Sequence, residues 1–334
     1  MLIIGGVIFI GYLYFVGFWQ VVQVILALDV RIALSTIVID LSCIVLFSLG
    51  WKLLLGSGMK FKYCIEGVLV SIFGDMMIPT ASISGEIFRI SLAVKKSKLQ
   101  ISEVTASVFL HRLILGLTFG AVLGFSVIML ILTETMQMAT LSFFIGMVAI
   151  DIVLAIIGIY AVFNTHKFKK LASKIILKTG GFFRRFKSSY NAEEMKNKVI
   201  GGFDTFHGAV VGVKKEKMLA SIAILTVRWF IVALVPYLMF YSLGYHASYW
   251  IVLTVSIMVS MVQMVPIGIP GLVGVMEVSM TAFFIGFGIA ADIAASATIL
   301  TRLVMFWFEL FISAIATSYI GVKEAMTSGK NNAL

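Results

Sequence analysis

Apolar segments follow one another along most of the chain, and they constrain its fold more than any other feature. A window of about 20 apolar residues is long enough to cross the hydrocarbon core of a bilayer as an α-helix. Hydrophobic residues make up 60% of the 334 residues and charged residues only 13%, a composition far too apolar for a soluble domain. We therefore predict an all-α polytopic membrane protein with about six full spans.

The charge distribution divides the chain into two membrane halves. Residues 164–217 carry 13 Lys/Arg against four Asp/Glu and thus supply most of the net charge of +10. The positive-inside rule makes this segment a cytoplasmic loop at the cell membrane rather than a nucleic-acid-binding surface. Its helical periodicity indicates amphipathic helices that either lie on an anionic leaflet or form a solvated connector. The predicted domains are an N-terminal membrane half (1–163), the loop, a C-terminal membrane half (218–322) and a polar tail (323–334).

Two of the apolar segments contain helix breakers. Residues 63–94 are interrupted at Pro79, and residues 248–288 are interrupted at Pro266 and Pro270. Proline removes a backbone donor and breaks a helix, and broken backbone at membrane depth survives only inside protein or beside a wet cavity. We therefore predict two re-entrant or broken helix pairs. The alternative is that each arm crosses the bilayer completely, since roughly 17 to 23 residues are sufficient.

Charged residues recur in the same order around the two breaks. Glu86 precedes Arg112 by 26 residues, and Glu277 precedes Arg302 by 25 residues. Lysines flank the first broken pair but not the second, which predicts opposite orientations for the two halves. Interrupted helices at matching positions of an inverted repeat are typical of transporters with a site near the bilayer centre.

The residues around the breaks predict a site for an anion. A half-helix that starts inside the membrane directs unpaired N–H groups and the positive end of its dipole at the cavity, where anions bind. Arginine adds a planar donor group suited to phosphate. The candidate anion-binding residues are Ser82, Ser84, Gly85, Gly271 and Gly274 at the half-helix ends, and Arg89, Arg112, Arg228 and Arg302 elsewhere in the membrane halves.

Carboxylates inside the membrane are candidates because a charge there is costly. We expect Glu86 and Glu277 to gate the site or take up protons. The alternative is that they pair with Arg112 and Arg302 only to hold the bundle together. We expect Asp40 and Asp75 either to relay protons or to hydrogen-bond across helices. No metal-binding, phosphate-loop or nucleophile–base motif is found, so we expect no cofactor and no enzymatic activity.

At these residues the chain resembles the lysylphosphatidylglycerol synthase transmembrane-region family, whose membrane domains are flippase-like. The resemblance covers nearly the whole chain and rests on two motifs. They are Pro79-x5-Gly85-Glu86-x2-Arg89 with His111-Arg112-Leu113, and Pro266-x3-Pro270-Gly271-x2-Gly274-x2-Glu277 with Thr301-Arg302-Leu303. In multidomain members a soluble aminoacyl-transferase domain follows the membrane part. Since this chain ends soon after the last predicted span, we expect a stand-alone member without that domain.

The resemblance implies a lipid translocase that carries a phosphate-bearing lipid between leaflets. The expected partners are membrane lipids, with a second copy of the chain or a lipid-modifying enzyme as candidate protein partners. In this interpretation Glu86 and Glu277 gate the site, Arg112 and Arg302 hold phosphate, and Arg89 recruits lipid from the inner leaflet. The alternatives are an ion-coupled transporter or channel for a small soluble anion and an accessory membrane subunit of a glycosyltransferase.

Overall fold

The computed structural model describes residues 28–78, 80, 83–133, 192–265 and 267–331, together with isolated positions between 8 and 26 and between 145 and 160. All regular structure in the described residues is helical. Within them, four helices are long and apolar enough to cross a membrane: Val30–Leu55, Ile101–Thr133, Lys215–Ser242 and Ala291–Lys323. The chain is thus an all-helical, multi-pass membrane protein, as predicted, whereas the number of spans and their inverted arrangement stay predictions.

Several sequence predictions fall outside the described residues. They concern Pro79, Ser82, Pro266 and the part of the basic loop that precedes residue 192.

The described residues between positions 28 and 133 of the N-terminal half contain four α-helices: α1 (Val30–Leu55), α2 (Phe61–Met77), α3 (Ile83–Lys96) and α4 (Ile101–Thr133). Side chains satisfy backbone donors at two of their starts. The Asp29 carboxylate accepts the N–H of Arg31 at 2.7 Å, and the Glu103 carboxylate accepts the N–H of Gln100 at 2.8 Å. Between α2 and α3 the chain leaves helical geometry, so the first predicted broken segment forms two short helices.

Glycines let α2 and α3 pack closely. A Cβ atom on Gly74 would lie 2.4 Å from the Phe88 ring, and one on Gly85 would lie 2.4 Å from Asp75 Oδ2. A larger residue at Gly85 would clash with the backbone of α2, whereas one at Gly74 would have to displace the Phe88 side chain.

In the described residues, α5 (Ala192–Val211) belongs to the basic loop. Six α-helices follow and form the C-terminal half: α6 (Lys215–Val232), α7 (Leu234–Ser242), α8 (Tyr249–Val262), α9 (Val275–Gly286), α10 (Ala291–Arg302) and α11 (Glu309–Asn331). Pro236 lacks the N–H that would bond to Val232, which explains the interruption between α6 and α7. A π-helical segment, Leu303–Phe308, joins α10 to α11. A short 3₁₀ turn, Pro270–Leu272, lies in the break between α8 and α9.

The two halves pack around each other, and their breaks adjoin. Helix α1 packs against α6, α2 against α11, and α4 against α8. Helix α2 also contacts the turn Pro270–Leu272, so the arm that leads into the first break touches the second break. In each half a long helix is followed by a broken pair and then by another long helix.

Several helix ends lie together at one end of the bundle. A cavity of about 340 Å³ is lined by residues from the end of α1 (Leu55), the α3–α4 connection (Leu99), the end of α5 (Val210) and the start of α6 (Lys217). Helix α5 also packs against α4, with the Phe206 ring 5.4 Å from the Phe109 ring. The lysines near residues 60, 96 and 215 belong to these helix ends.

Candidate functional site

Two neighbouring cavities that share lining residues lie near the breaks. The larger, of about 410 Å³, is bounded by α1, α4, the helices from α6 to α11 and the π-helical segment. The smaller, of about 200 Å³, lies between α2 and the second break. Arg302, Glu309 and Gln263 line both cavities. The larger volume falls within the range of about 300–1,000 Å³ that is usual for small-molecule sites.

A buried ion pair between Arg302 and Glu277 lies at the second break. Arg302 Nε donates to Glu277 Oε1 at 2.7 Å, and Arg302 Nη2 donates to the carbonyl oxygen of Gly271 at 3.1 Å. Glu277 Oε2 accepts the N–H of Gly274 at 2.7 Å. Both carboxylate oxygens of Glu277 are therefore used, one by the arginine and one by the start of α9. The Arg302 guanidinium also lies 4.1 Å from the centre of the Phe306 ring.

The second break depends on backbone conformations that glycine adopts readily. Gly271 has φ of 58° and Gly274 has φ of 86°. Residues other than glycine rarely adopt these backbone angles. A Cβ atom on Gly271 would also lie 2.3 Å from the Phe306 ring. Conformation and space thus both favour glycine at this position.

A carboxylate also occupies the first break. Asp75, near the end of α2, accepts the N–H of Gly85 at 2.8 Å through Oδ1. The Ser84 hydroxyl lies 3.3 Å from the same oxygen and 3.0 Å from the carbonyl oxygen of Ile78. The Ser84 N–H donates to the Thr80 hydroxyl at 2.8 Å. Asp75 therefore has hydrogen-bond partners on α3 that were not evident from its position in sequence.

Both half-helix N-termini thus hold a carboxylate of the chain itself. The N–H of Gly85 is taken by Asp75 and that of Gly274 by Glu277. A negative group at this position is stabilised by the helix dipole, as predicted for a ligand, but here the negative group is a side chain. The charged groups that remain beside the larger cavity are the arginines and Glu309.

The matching ion pair of the N-terminal half, Glu86–Arg112, has a longer N–O distance than Glu277–Arg302 and is more exposed. Arg112 Nη1 lies 3.4 Å from Glu86 Oε1, and both side chains are partly exposed. Arg112 also lines the larger cavity. Sequence spacing thus brings together both predicted pairs, one tightly and one loosely.

Arg228 lines the larger cavity from α6. Its Nε donates to the carbonyl oxygen of Cys43 at 3.3 Å, and its guanidinium lies 5.2 Å from the centre of the Phe47 ring. Arg228 forms no ion pair with any residue that the structure describes. It is therefore the cavity arginine whose charge is least compensated by a direct carboxylate contact.

Arg89 does not face lipid. It is 2% exposed, and its guanidinium lies 4.8 Å from the Trp51 ring and 5.6 Å from the Phe47 ring. Its Nε and Nη1 have no hydrogen-bond partner among the described residues. Burial under these aromatic rings argues against the expected recruitment of lipid from the inner leaflet, because the guanidinium has no access to a headgroup.

Asp40 contacts an acid that sequence analysis did not single out. The carboxyl groups of Asp40 in α1 and Glu309 at the start of α11 lie close enough to interact with each other. Asp40 is 1% exposed, whereas Glu309 is half-buried and lines both cavities. The charge of Arg228 acts on both carboxyl groups.

Glu309 could have been found from sequence. It lies inside the last apolar segment, and an ionisable residue there is a functional candidate by default. It also follows a π-helical segment, a feature that is common at functional sites but is not visible in the sequence. Gln263, at the end of α8, was missed because it carries no charge and follows a long apolar run.

The fold and the cavities define a multi-pass helical membrane protein with an arginine-lined central cavity. Residues 2–313 match the family described as the lysylphosphatidylglycerol synthase TM region, and the chain belongs to this family. The predicted resemblance is thereby confirmed.

Related proteins match over nearly their whole length. A UPF0104 membrane protein of Pyrococcus horikoshii is 26% identical over 324 residues, which cover 94% of this chain and 95% of the relative. A UPF0104 membrane protein of Methanothermobacter thermautotrophicus is 22% identical over 326 residues, which cover 96% and 95% of the two chains. No solved structure matches the chain.

Proposed function

We propose that this protein is a translocase that moves a phosphate-bearing lipid between the two leaflets of the cell membrane. The lipid is a phospholipid or a polyprenyl-phosphate-linked glycan. Its headgroup passes through the larger cavity while its acyl or prenyl chains stay in the bilayer, and no covalent step is involved. One observation carries the proposal: Arg112, Arg228 and Arg302 line a single cavity inside a membrane protein.

The arginines have different parts in this proposal. Arg112 and Arg302 each have a carboxylate partner, at 3.4 Å and 2.7 Å respectively. Arg228 has none among the described residues and is therefore the first phosphate ligand. A guanidinium binds phosphate oxygens through two parallel N–H groups, so it is suited to a phosphodiester. The long, accessible Glu86–Arg112 pair opens more readily than the buried Glu277–Arg302 pair, so Arg112 is the second ligand.

The lengths of the broken arms support re-entry. At 1.5 Å per residue, α2 and α3 extend about 25 Å and 21 Å, and α8 and α9 about 21 Å and 18 Å. Each arm is shorter than a hydrocarbon core of about 30 Å. The contact between α2 and the turn Pro270–Leu272 supports two hairpins that enter from opposite sides and adjoin at mid-depth. In this arrangement the two halves are inverted copies, as is common in transporters.

The clustered lysines support one orientation of the helix bundle in the membrane. The helix ends around residues 55–61, 96–101 and 211–217 lie at one end of the bundle, and each carries basic residues. The positive-inside rule assigns this end to the cytoplasm. Helix α5 would then lie beside the inner leaflet, packed on the start of α4.

The lining of the larger cavity favours a lipid over a small soluble anion. Apart from the arginines, Glu309 and a few hydroxyl and amide groups, the walls are apolar, with Val232, Met264, Met276 and Met280 among them. Methionine adapts to irregular apolar ligands. A soluble phosphate would leave this apolar surface wet, whereas the first carbons of a lipid chain would cover it.

The test is reconstitution of the purified full-length protein into vesicles with fluorescent lipids. Movement between leaflets is read from the fraction of fluorophore that an impermeant reductant reaches. We expect phosphate-bearing lipids to move faster in protein-containing vesicles than in empty ones, and a neutral diacylglycerol analogue not to do so. Uptake of radiolabelled glycerol phosphate in the same vesicles measures the soluble-anion alternative. Folded protein that moves no lipid would contradict the proposal.

A further inference from the structure

We propose that Asp40 and Glu309 form a proton-binding pair whose protonation is coupled to binding of the anionic headgroup at Arg228. The inference rests on the proposed function and names the ion that moves with the lipid. It makes the protein a cotransporter of a proton and a phosphate-bearing lipid.

A hydrogen bond within the pair requires a proton. Ionised carboxylates only accept hydrogen bonds, so two carboxyl groups can bond to each other only if one carries a proton. Asp40 Oδ2 is buried and finds no N–H or O–H donor among the residues that the structure describes. The nearby Glu309 carboxyl, when protonated, is a donor available to the Asp40 carboxylate. With one shared proton, the pair carries a single negative charge.

The pair is connected to the transport site on one side only. Asp40 is enclosed within the bundle, while Glu309 faces both cavities. Glu309 can thus exchange protons with water in the cavities, and Asp40 acts as its enclosed partner. The π-helical segment that precedes Glu309 also carries Met305 and Phe306, which line the smaller cavity.

Charge balance links the proton to the anion. Arg112 is balanced by Glu86, and Arg302 by Glu277. The remaining charge of Arg228 is balanced by the singly protonated pair. When the pair takes a second proton from water, Arg228 is left uncompensated in the membrane interior, which is unfavourable until an anion binds. A phosphodiester brings the single negative charge that restores neutrality.

Other charged groups around the pair do not change this balance. The positive charges of Arg228 from α6 and Arg302 from α10 both attract the Glu309 carboxylate, but Arg302 already forms an ion pair with Glu277. The Cys43 thiol lies on α1 near both acids and is a weak hydrogen-bonding group. Arg112 from α4 lines the same cavity and has Glu86 as its partner. The protonation state of the Asp40–Glu309 pair thus determines whether the charge of Arg228 is balanced.

Proton uptake on anion binding tests the inference directly. Purified full-length protein in detergent is mixed with short-chain phosphatidylglycerol in weakly buffered solution that contains a pH-indicator dye. We expect uptake of up to one proton per bound lipid, and by linkage an affinity that rises up to tenfold for each pH unit of acidification. Glycerol phosphate is the second ligand. If it produces the same uptake at the same concentrations, the coupling holds but the lipid is replaced by a soluble anion.

Two isosteric substitutions together assign the proton to the pair. Either substitution alone leaves one carboxylate that still balances Arg228 and can still take up a proton, so Glu309→Gln and Asp40→Asn are combined in a double variant. In this double variant we expect lipid binding to persist or strengthen at alkaline pH and its proton uptake to disappear. Asp292→Asn, an exposed acid at the start of α10, is the control and should behave as wild type. Thermal unfolding identifies variants that do not fold. Wild-type binding without proton uptake overturns the proposal whatever the variants do, as does unchanged uptake or lost binding in the folded double variant.

Vesicle measurements separate this inference from the proposed function. If lipid moves but a transmembrane pH gradient neither drives nor slows it, proton coupling is wrong and translocation stands. If lipid and protons bind together in detergent but no lipid moves in vesicles, translocation is wrong and the proton-binding pair stands.

Discussion

Arg302 Nε lies 2.7 Å from Glu277 Oε1, and this buried ion pair joins the end of α10 to the start of α9. The corresponding atoms of Arg112 and Glu86 are 3.4 Å apart and partly exposed. Residues that match in sequence therefore make a tight, enclosed contact in one half and a loose, accessible contact in the other. The tight pair stabilises the second break, while the loose pair leaves Arg112 available to the cavity.

This asymmetry predicts different stabilities for two equivalent variants. Glu277→Gln leaves the Arg302 charge buried without its partner, which typically costs about 3–5 kcal/mol. Glu86→Gln removes a partly exposed pair and should cost under about 1 kcal/mol. Thermal unfolding of the two variants in the same detergent measures the difference. Equal destabilisation would show that burial does not distinguish the pairs.

The glycine turn of the second break predicts a second stability difference. Gly271→Ala places a Cβ atom 2.3 Å from the Phe306 ring at a residue with φ of 58°, so it should destabilise the break by about 1–3 kcal/mol. Gly124→Ala is the control, because this position in α4 is open and alanine favours helix by up to about 1 kcal/mol. Unfolding midpoints that fall for Gly271→Ala but not for Gly124→Ala are the expected result.

The carboxylate at the first break predicts a local change in hydrogen exchange. Asp75→Ala removes the acceptor of the Gly85 N–H and should weaken the start of α3 by about 0.5–2 kcal/mol, as loss of a helix cap does. Amide exchange in residues 83–86 should accelerate by up to roughly tenfold for each 1.4 kcal/mol. Glu66→Ala, which removes the same charge from α2 away from the break, should leave that segment protected. Equal exchange in both variants would rule out the cap.

The cavity arginines predict a charge-dependent transport defect. Arg228→Gln should slow the movement of anionic lipid between leaflets at least tenfold, because the phosphate loses its first ligand; tenfold corresponds to about 1.4 kcal/mol. Arg31→Gln makes the same change at an exposed position of α1 and should transport as wild type. The reductant-accessibility assay in vesicles measures both. Normal transport by a folded Arg228→Gln variant would exclude Arg228 from the path of the headgroup.

Part of the site was predictable because the relevant chemistry is local. Prolines and glycines inside an apolar run interrupt a helix wherever the run is packed. The interruptions between Met77 and Ile83 and between Val262 and Val275 therefore follow from composition. The pairing of Glu277 with Arg302 was weighed as an alternative because an unpaired charge in a membrane is costly.

The burial of the Arg89 side chain was not predictable from the sequence in this way. Its position three residues after Glu86 and close to a lysine cluster suggested a headgroup contact. The packing of α1 against the first broken pair instead places Trp51 and Phe47 beside its guanidinium. A single sequence does not indicate which helix will cover a side chain, so burial and accessibility could not be separated.

The sequence alone determined the membrane-embedded helical class, the family, the positions of the two helix interruptions and the identities of the charges inside the apolar segments. These properties depend on residues that are neighbours along the chain. Tertiary structure decided that Asp75 and Glu277 occupy the half-helix ends, that three arginines share one cavity, and that Asp40 meets Glu309. Contacts between distant helices depend on how whole apolar faces pack, and helical periodicity specifies a face without specifying its partner.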